Sequence, residues 1–541
     1  MRKQRTSAYL HAVFTLLAAI LISASVGGQT PPIWGSLEPG PYAVGFRTIE
    51  QYDYSRTFQP IRDYYGNPLE GTAARPIQVC YWYPAEAGDG ARMIYAEYAF
   101  PYPEDASFFP FLSQLQNREL GTLFFFMGNS QALAQGCMDL EMTAIRDAAA
   151  MTGPFPLVVY HAGERSGYGQ NAVLCEYLAS HGFVVATTHT VGASTVAAGP
   201  QLSDVEAASR DKELVVAAMR ERPMVDPEQL GLIGYDYGGS TALVHQMRNY
   251  SVDAVATLQG RFLNPGATDN LMENPFYDPL RMMVPWLQVF VDGPSNLSLL
   301  DSLRYAKRYS LSTGQARPTD FSTYSLMAVV MGADTSRTIE ALSQWHQAAY
   351  QYLFRFFDAS LNDNDSSLAW LESGPEANGY GADQFTLTVS EPEDAPPTDI
   401  QFVNVLQTHG VERAQELCER FDLINPEHPI VTDPTFTQLG YQFLQRGNVD
   451  SALVVFRWGV TAYPNSANAW DSYGEACAAN GDLVQALAYY RTAQEVLPND
   501  SAIVPQIRQI LETNISTNIQ RLEEEIAAQE SGAAGPSESG E

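Results

Sequence analysis

One stretch concentrates residues able to do chemistry. Positions 230–243 read Leu-Gly-Leu-Ile-Gly-Tyr-Asp-Tyr-Gly-Gly-Ser-Thr-Ala-Leu: an apolar run, a turn holding Gly234, Asp236 and Gly238, then a helical pattern. Strand, sharp turn and helix in that order make a nucleophile elbow, whose central residue is usually Ser. Gly234 and Gly238 lack a Cβ, so strand and helix can close on a central residue in strained backbone. Here that residue is Asp236. A carboxylate there can attack a carbon and form an enzyme ester, which then needs an imidazole to activate water. It can instead sit as a fixed charge against backbone amides that would otherwise hold an oxyanion. His161 and His189 end apolar runs at the same rim as Asp236. They are the candidates for a rewired base, with packing at the rim as the plainer alternative. A metal held by Asp236, His161 and His189 is a third reading, with no ligand spacing behind it beyond the shared rim.

The elements that must position these residues are regular from residue 155 onward. Short apolar runs at 156–160, 183–187, 230–235, 252–258 and 286–291 alternate with helical patterns at 168–181, 204–222, 240–248 and 338–357. That alternation predicts a mostly parallel sheet covered by helices on both faces. An earlier strand is expected within 75–84, closed by Pro84. Residues 85–150 read as an irregular insertion or cap, with Phe124, Phe125 and Phe126 as core.

The chain has 541 residues and a formal net charge of −31. Such an acidic excess repels nucleic acid and anionic lipid surfaces. Residues 1–30 place Arg2, Lys3 and Arg5 before an apolar run and then small residues. This predicts a signal peptide and a secreted or periplasmic protein, with an uncleaved anchor as the alternative; no other membrane segment is expected. Cys80, Cys137, Cys175, Cys418 and Cys477 are scattered without a CxxC. They read as buried thiols, with a Cys137–Cys175 pair as an alternative. No cofactor is implied.

A linker is expected at 374–398, ending the first domain (31–373), and a repeat follows within 399–520. Phe436, Leu439, Gly440, Phe443, Gly447, Ala452, Phe456 and Pro464 match Trp470, Tyr473, Gly474, Cys477, Gly481, Ala486, Tyr490 and Pro498 at a constant offset of 34. That is the tetratricopeptide period of two antiparallel helices. Residues 402–421 look like a degenerate helix pair, 502–513 like a capping helix and 521–541 like an acidic disordered tail. Asn468, Asp471 and Glu475 should face the groove a peptide partner would use.

Further matching pieces accompany the elbow: Gly40-Pro-Tyr-Ala-Val-Gly45, Arg75-Pro with Trp82-Tyr-Pro84, Phe155-Pro-Leu-Val-Val-Tyr160 with Gly163, and 174–185. Together they resemble the secreted α/β-hydrolases of the platelet-activating-factor acetylhydrolase and dienelactone-hydrolase type. The resemblance implies an α/β-hydrolase fold followed by an all-α tetratricopeptide-repeat domain, an acyl or other small-molecule ligand in the pocket, and an oxyanion region at Gly163 and Tyr237. It places the serine, acid and histidine of an ester hydrolase at Asp236, Gln259 and Pro318. All three are substituted. The resemblance therefore implies three competing functions: a pseudoenzyme that binds a ligand or partner, a hydrolase using Asp236 on an ester, haloalkane or epoxide, or a repeat scaffold.

Overall fold

The computed structural model describes residues 30–58, 74–164, 166–264, 266–293, 298–381 and 383–533. The expected signal peptide lies outside them, apart from Thr30. The chain divides into two compact units, 1–393 and 394–541.

In the first unit an 11-stranded sheet runs in the order β11-β10-β9-β8-β7-β5-β6-β2-β1-β4-β3. Its strands are β1 (Ala43–Thr57), β2 (Ala74–Ala85), β3 (Arg92–Ile94), β4 (Glu141–Arg146), β5 (Phe155–His161), β6 (Val184–Thr187), β7 (Val225–Tyr235), β8 (Ala254–Leu258), β9 (Trp286–Val291), β10 (Arg308–Thr313) and β11 (Thr386–Ser390). Strands β5 to β10 pair in parallel. Strand β8 is buried along its whole length, as a strand covered on both faces must be.

The helices of eight or more residues in this unit are α1 (Phe109–Phe126), α2 (Ala172–Ser180), α3 (Leu202–Arg220), α4 (Tyr237–Arg248), α5 (Thr323–Val330), α6 (Ile339–Leu361) and α7 (Asp365–Ser373). One core holds Tyr177, Tyr324, Tyr350 and Phe357 from α2, α5 and α6. A second holds Val215, Met219, Leu243 and Met247 from α3 and α4. Sheet order, parallel centre and two helical layers are those of an α/β-hydrolase.

Four expectations need correction. Residues 85–150 are more than a cap: β4 pairs with β1 and β3 with β4, extending the sheet. Phe124 and Phe125 are exposed, whereas Phe126 packs on Tyr324. The first unit does not end at 373, because β11 lies inside the expected linker and pairs antiparallel with β10. All five cysteines are buried and free, which removes the Cys137–Cys175 pair.

Buried Glu176 on α2 fastens the insertion. It accepts from Tyr98 Oη at 2.8 Å, Trp34 Nε1 at 3.2 Å and the backbone N–H groups of Thr143 and Ala144 at 3.0 Å. Burial raises its pKa although all four donors favour the anion.

The second unit is helical: α8 (Asp399–Phe421), α9 (Asp433–Gln445), α10 (Val449–Ala462), α11 (Ala467–Ala479), α12 (Leu483–Val496) and α13 (Pro505–Ala533). Both bounds of α9 and α10 recur 34 residues later in α11 and α12. So do the caps. The side chains of Thr432, Asn448, Ser466 and Asp482 each accept the N–H three residues on, covering an orphan donor of the first turn. Gly440 faces the Phe456 ring and Gly474 the Tyr490 ring, which lets each helix pair cross closely. Gly410, at φ 85°, breaks α8 into two helical pieces, matching the degenerate pair. The tail needs correction: α13 continues through residue 533, with Leu522 buried and Arg521 bonded to Glu525 one turn on. Residues 534–541 lie outside the described residues.

Candidate functional site

The elbow is fully formed. Strand β7 delivers Asp236 at φ 52° and ψ −118°, and α4 starts at the next residue. Its backbone is pinned on every side: Asp236 N–H donates to Leu258 O at 3.1 Å, and its carbonyl accepts from Gly239 at 3.0 Å and Arg261 at 2.9 Å. A Cβ on Gly238 would lie 1.9 Å from the His161 carbonyl oxygen, and one on Gly234 2.2 Å from that of Gly238. Only glycine permits this approach.

The Asp236 carboxylate is clasped. Arg261 Nε donates to Oδ1 at 3.3 Å and Nη2 to Oδ2 at 3.4 Å. The third nitrogen of the same guanidinium, Nη1, pairs with Glu164. Arg261, Asp236 and Glu164 are 27%, 30% and 18% exposed, so the cluster sits at the mouth rather than in the core. Burial works against the Arg261 charge, but Asp236 and Glu164 outweigh it and raise its pKa. Glu164 follows Gly163, so the guanidinium ties the elbow to the loop after β5.

That loop is also engaged. Gly163 N–H donates to Gln170 Oε1 at 2.8 Å, so this proposed oxyanion donor has its partner already. Tyr237 occupies the first helical position as expected, with its ring buried and its hydroxyl pKa raised by burial.

The two positions to which the resemblance assigns the acid and the histidine make other contacts. Gln259, at φ 44°, ends β8; its N–H donates to Val289 O and its Oε1 accepts from Val291 N–H, both at 2.8 Å. The side chain thus splices β8 to β9. Pro318 accepts through its carbonyl from Tyr235 Oη at 3.2 Å, which puts it beside the elbow where the resemblance assigns the histidine. A pyrrolidine ring carries no proton to exchange. Asp320, two residues on, accepts from Arg337 Nη1 and from Arg317 N–H, both at 2.7 Å, and is structural.

Neither candidate base reaches the carboxylate. Among the described residues no imidazole nitrogen hydrogen-bonds Asp236. His161 turns beneath α4: Nδ1 meets Thr241 Oγ1 at 2.9 Å, and the ring lies against His245 with centroids 5.4 Å apart. Burial, then His245 and Lys212, hold its pKa well below the usual value, so it stays neutral. His189 packs on Tyr168 at 4.8 Å and is likewise held neutral, by burial first and then by Arg118 and Lys212. The three residues proposed as a metal set are therefore not gathered, and no group of three or more His, Cys, Asp or Glu able to hold a metal occurs among the described residues.

A pocket opens beside the clasp, lined by Pro200, Val205, Tyr237, Ser240, Arg261 and Leu271 among others, with a volume of about 30 Å³.

Sequence reasoning found Asp236, Gln259 and Pro318 but missed Arg261, Glu164 and Gln170. The signal was present as opposite charges on two rim loops, Glu164 after Gly163 and Arg261 after Gly260.

These features define an α/β-hydrolase fold whose elbow carries a carboxylate paired with an arginine. No protein-family model matches the chain, and no curated protein matches it. Among solved structures, a ferulic acid esterase from Streptomyces cinnamoneus is similar with a TM-score of 0.47 and 18% identity, over 65% of this chain and 98% of that one.

Proposed function

We propose that the first unit is a hydrolase-derived binding domain that no longer performs Ser/His/Asp chemistry, in a secreted or periplasmic protein whose second unit is a tetratricopeptide module that takes a partner. The Arg261 clasp on Asp236 carries this reading. A nucleophile must be free to approach carbon, whereas this carboxylate has both oxygens committed to a guanidinium that also holds the neighbouring loop. The amide at Gln259 and the imino acid at Pro318 supply neither a base nor a group to orient one. Loss of one triad member already removes several orders of magnitude of rate, and losses within a triad are far from additive.

The test is turnover of short-chain p-nitrophenyl esters, haloalkanes and epoxides by the full chain. The expected rate equals that of buffer. A rate above buffer that disappears in Asp236→Asn would overturn the proposal.

A second reading has one observation in its favour. The strained elbow is retained at Asp236, as it would be for an aspartate nucleophile. The same panel decides it, since that mechanism requires haloalkane or epoxide turnover dependent on Asp236.

A further inference from the structure

The second unit contains a groove of about 520 Å³ between α9, α11, α12 and α13. Its walls include Tyr441, Asp471, Glu475, Ile507, Ile510 and Arg521. Two features set its chemistry.

The first is unneutralised negative charge. Asp471 Oδ1 is buried and has no hydrogen-bond partner. Glu475, one turn along α11, accepts from Tyr441 Oη at 2.8 Å, a neutral donor that leaves its charge in place. Arg521 is the cation on the wall, and it pairs with Glu525 at 3.2 Å on its own helix. Two carboxylates therefore face the groove without a cation of their own. The second feature is apolar surface beside them: Ile507 is 52% exposed and Ile510 58%. A desolvated carboxylate lacking a partner is costly, and an incoming cation relieves that cost.

We propose that this groove binds a peptide segment through one Arg or Lys side chain held by Asp471 and Glu475, with a neighbouring apolar residue on Ile507 and Ile510. This rests on the reading of the second unit as a partner-binding module and adds the partner's chemistry. A carboxylate-terminated or acidic segment is excluded by the same charges. The cation's aliphatic stem suits the isoleucine wall, and its head reaches the carboxylates.

Proton binding opposes the ligand. Burial, then Glu475, raises the Asp471 pKa to about 7. The other ionisable groups around it are Glu475 on α11, Tyr441 on α9, Tyr490 on α12 and the Arg521–Glu525 pair on α13. Asp471 is the one among them brought to neutral pH, so acidification removes a charge that the cation needs.

The test uses the full chain and fluorescein-labelled, end-blocked dodecapeptides with a constant Leu/Ser background and Arg, Gln or Glu at one central position, read by fluorescence anisotropy. At pH 8 the Arg peptide should bind at least about tenfold more tightly than the Gln peptide, with the Glu peptide weakest, a tenfold step being about 1.4 kcal/mol. Asp471→Asn with Glu475→Gln should abolish the Arg preference while circular dichroism stays unchanged. The Arg preference should also shrink at pH 5.5. Equal binding of the three peptides, or preference for Glu, would overturn the charge assignment and leave a peptide-binding module standing. Binding of none would overturn the proposal and the partner-binding reading together.

Discussion

The elbow and the repeat groove each present two carboxylates near a tyrosine and an arginine, and they differ in where the arginine points. At the elbow Arg261 spans Asp236 and Glu164 and gives each carboxylate a cationic partner. In the groove Arg521 pairs with Glu525 and not with Asp471 or Glu475. A carboxylate already held by a guanidinium offers less to a cationic ligand than one with no cation beside it. The strained elbow is retained in the first region, with an arginine on its central carboxylate. In the second the two carboxylates sit on a plain helical frame.

The largest expected effect separates the two frames. Gly238→Ala puts a Cβ 1.9 Å from the His161 carbonyl, an obstacle made of backbone. Its counterpart Gly474→Ala meets the Tyr490 ring at 3.2 Å and the Ala486 carbonyl oxygen at 3.3 Å, distances that a shift of a few tenths of an ångström relieves. Urea unfolding should show Gly238→Ala costing the first unit about 3 kcal/mol or more and Gly474→Ala costing the second about 1 kcal/mol. Equal costs would mean that the elbow is no tighter than a helix crossing.

How far these features were legible in the sequence follows from their physics. The central strands and the elbow could be read because buried parallel strands are continuous apolar runs and the turn demands glycine. The repeat could be read because caps, crossing glycines and packing aromatics recur with the helices. Strands β1, β3, β4, β10 and β11 were missed: β3 and β11 are edges with one neighbour, and β1, β4 and β10 are only partly buried, so none reads as a continuous apolar run. The exposure of Phe124 and Phe125 was missed because composition does not say which face of α1 meets the sheet. The clasp on Asp236 was missed because it joins two loops, and pairing between loops leaves no periodic trace. For the same reason the bond by which Gln259 splices two strands could not be read from the sequence.

Next in size is the cost of the unbalanced groove. The Asp471 pKa rises from 3.8 to about 7 on folding, so the folded state holds the extra proton between those values. The carboxyl destabilises the fold increasingly as pH climbs through that window, with the full penalty above pH 7 and none below about 4. Asp471→Asn should therefore stabilise the second unit by roughly 1–2 kcal/mol at pH 8, allowing for partial exposure, and the gain should vanish near pH 4. A gain independent of pH would contradict the unpaired-charge account.

The smallest effect belongs to the clasped site. Its ion pairs are a quarter to a third exposed on Arg261 and Asp236, so Arg261→Ala should cost the first unit only about 1 kcal/mol at low salt. That cost should shrink as salt screens the charges left behind. A loss of several kcal/mol would show that the clasp is a structural keystone.

The central claim is that Asp236 does not act as a nucleophile. An aspartyl ester is hydrolysed at the aspartate carbonyl, so each turnover would leave a solvent oxygen in that carboxylate. The full chain, incubated with the haloalkane and epoxide panel in heavy-oxygen water, should yield an Asp236 peptide of unchanged mass on digestion. A heavier Asp236 peptide, formed with substrate and absent without it, would contradict the account.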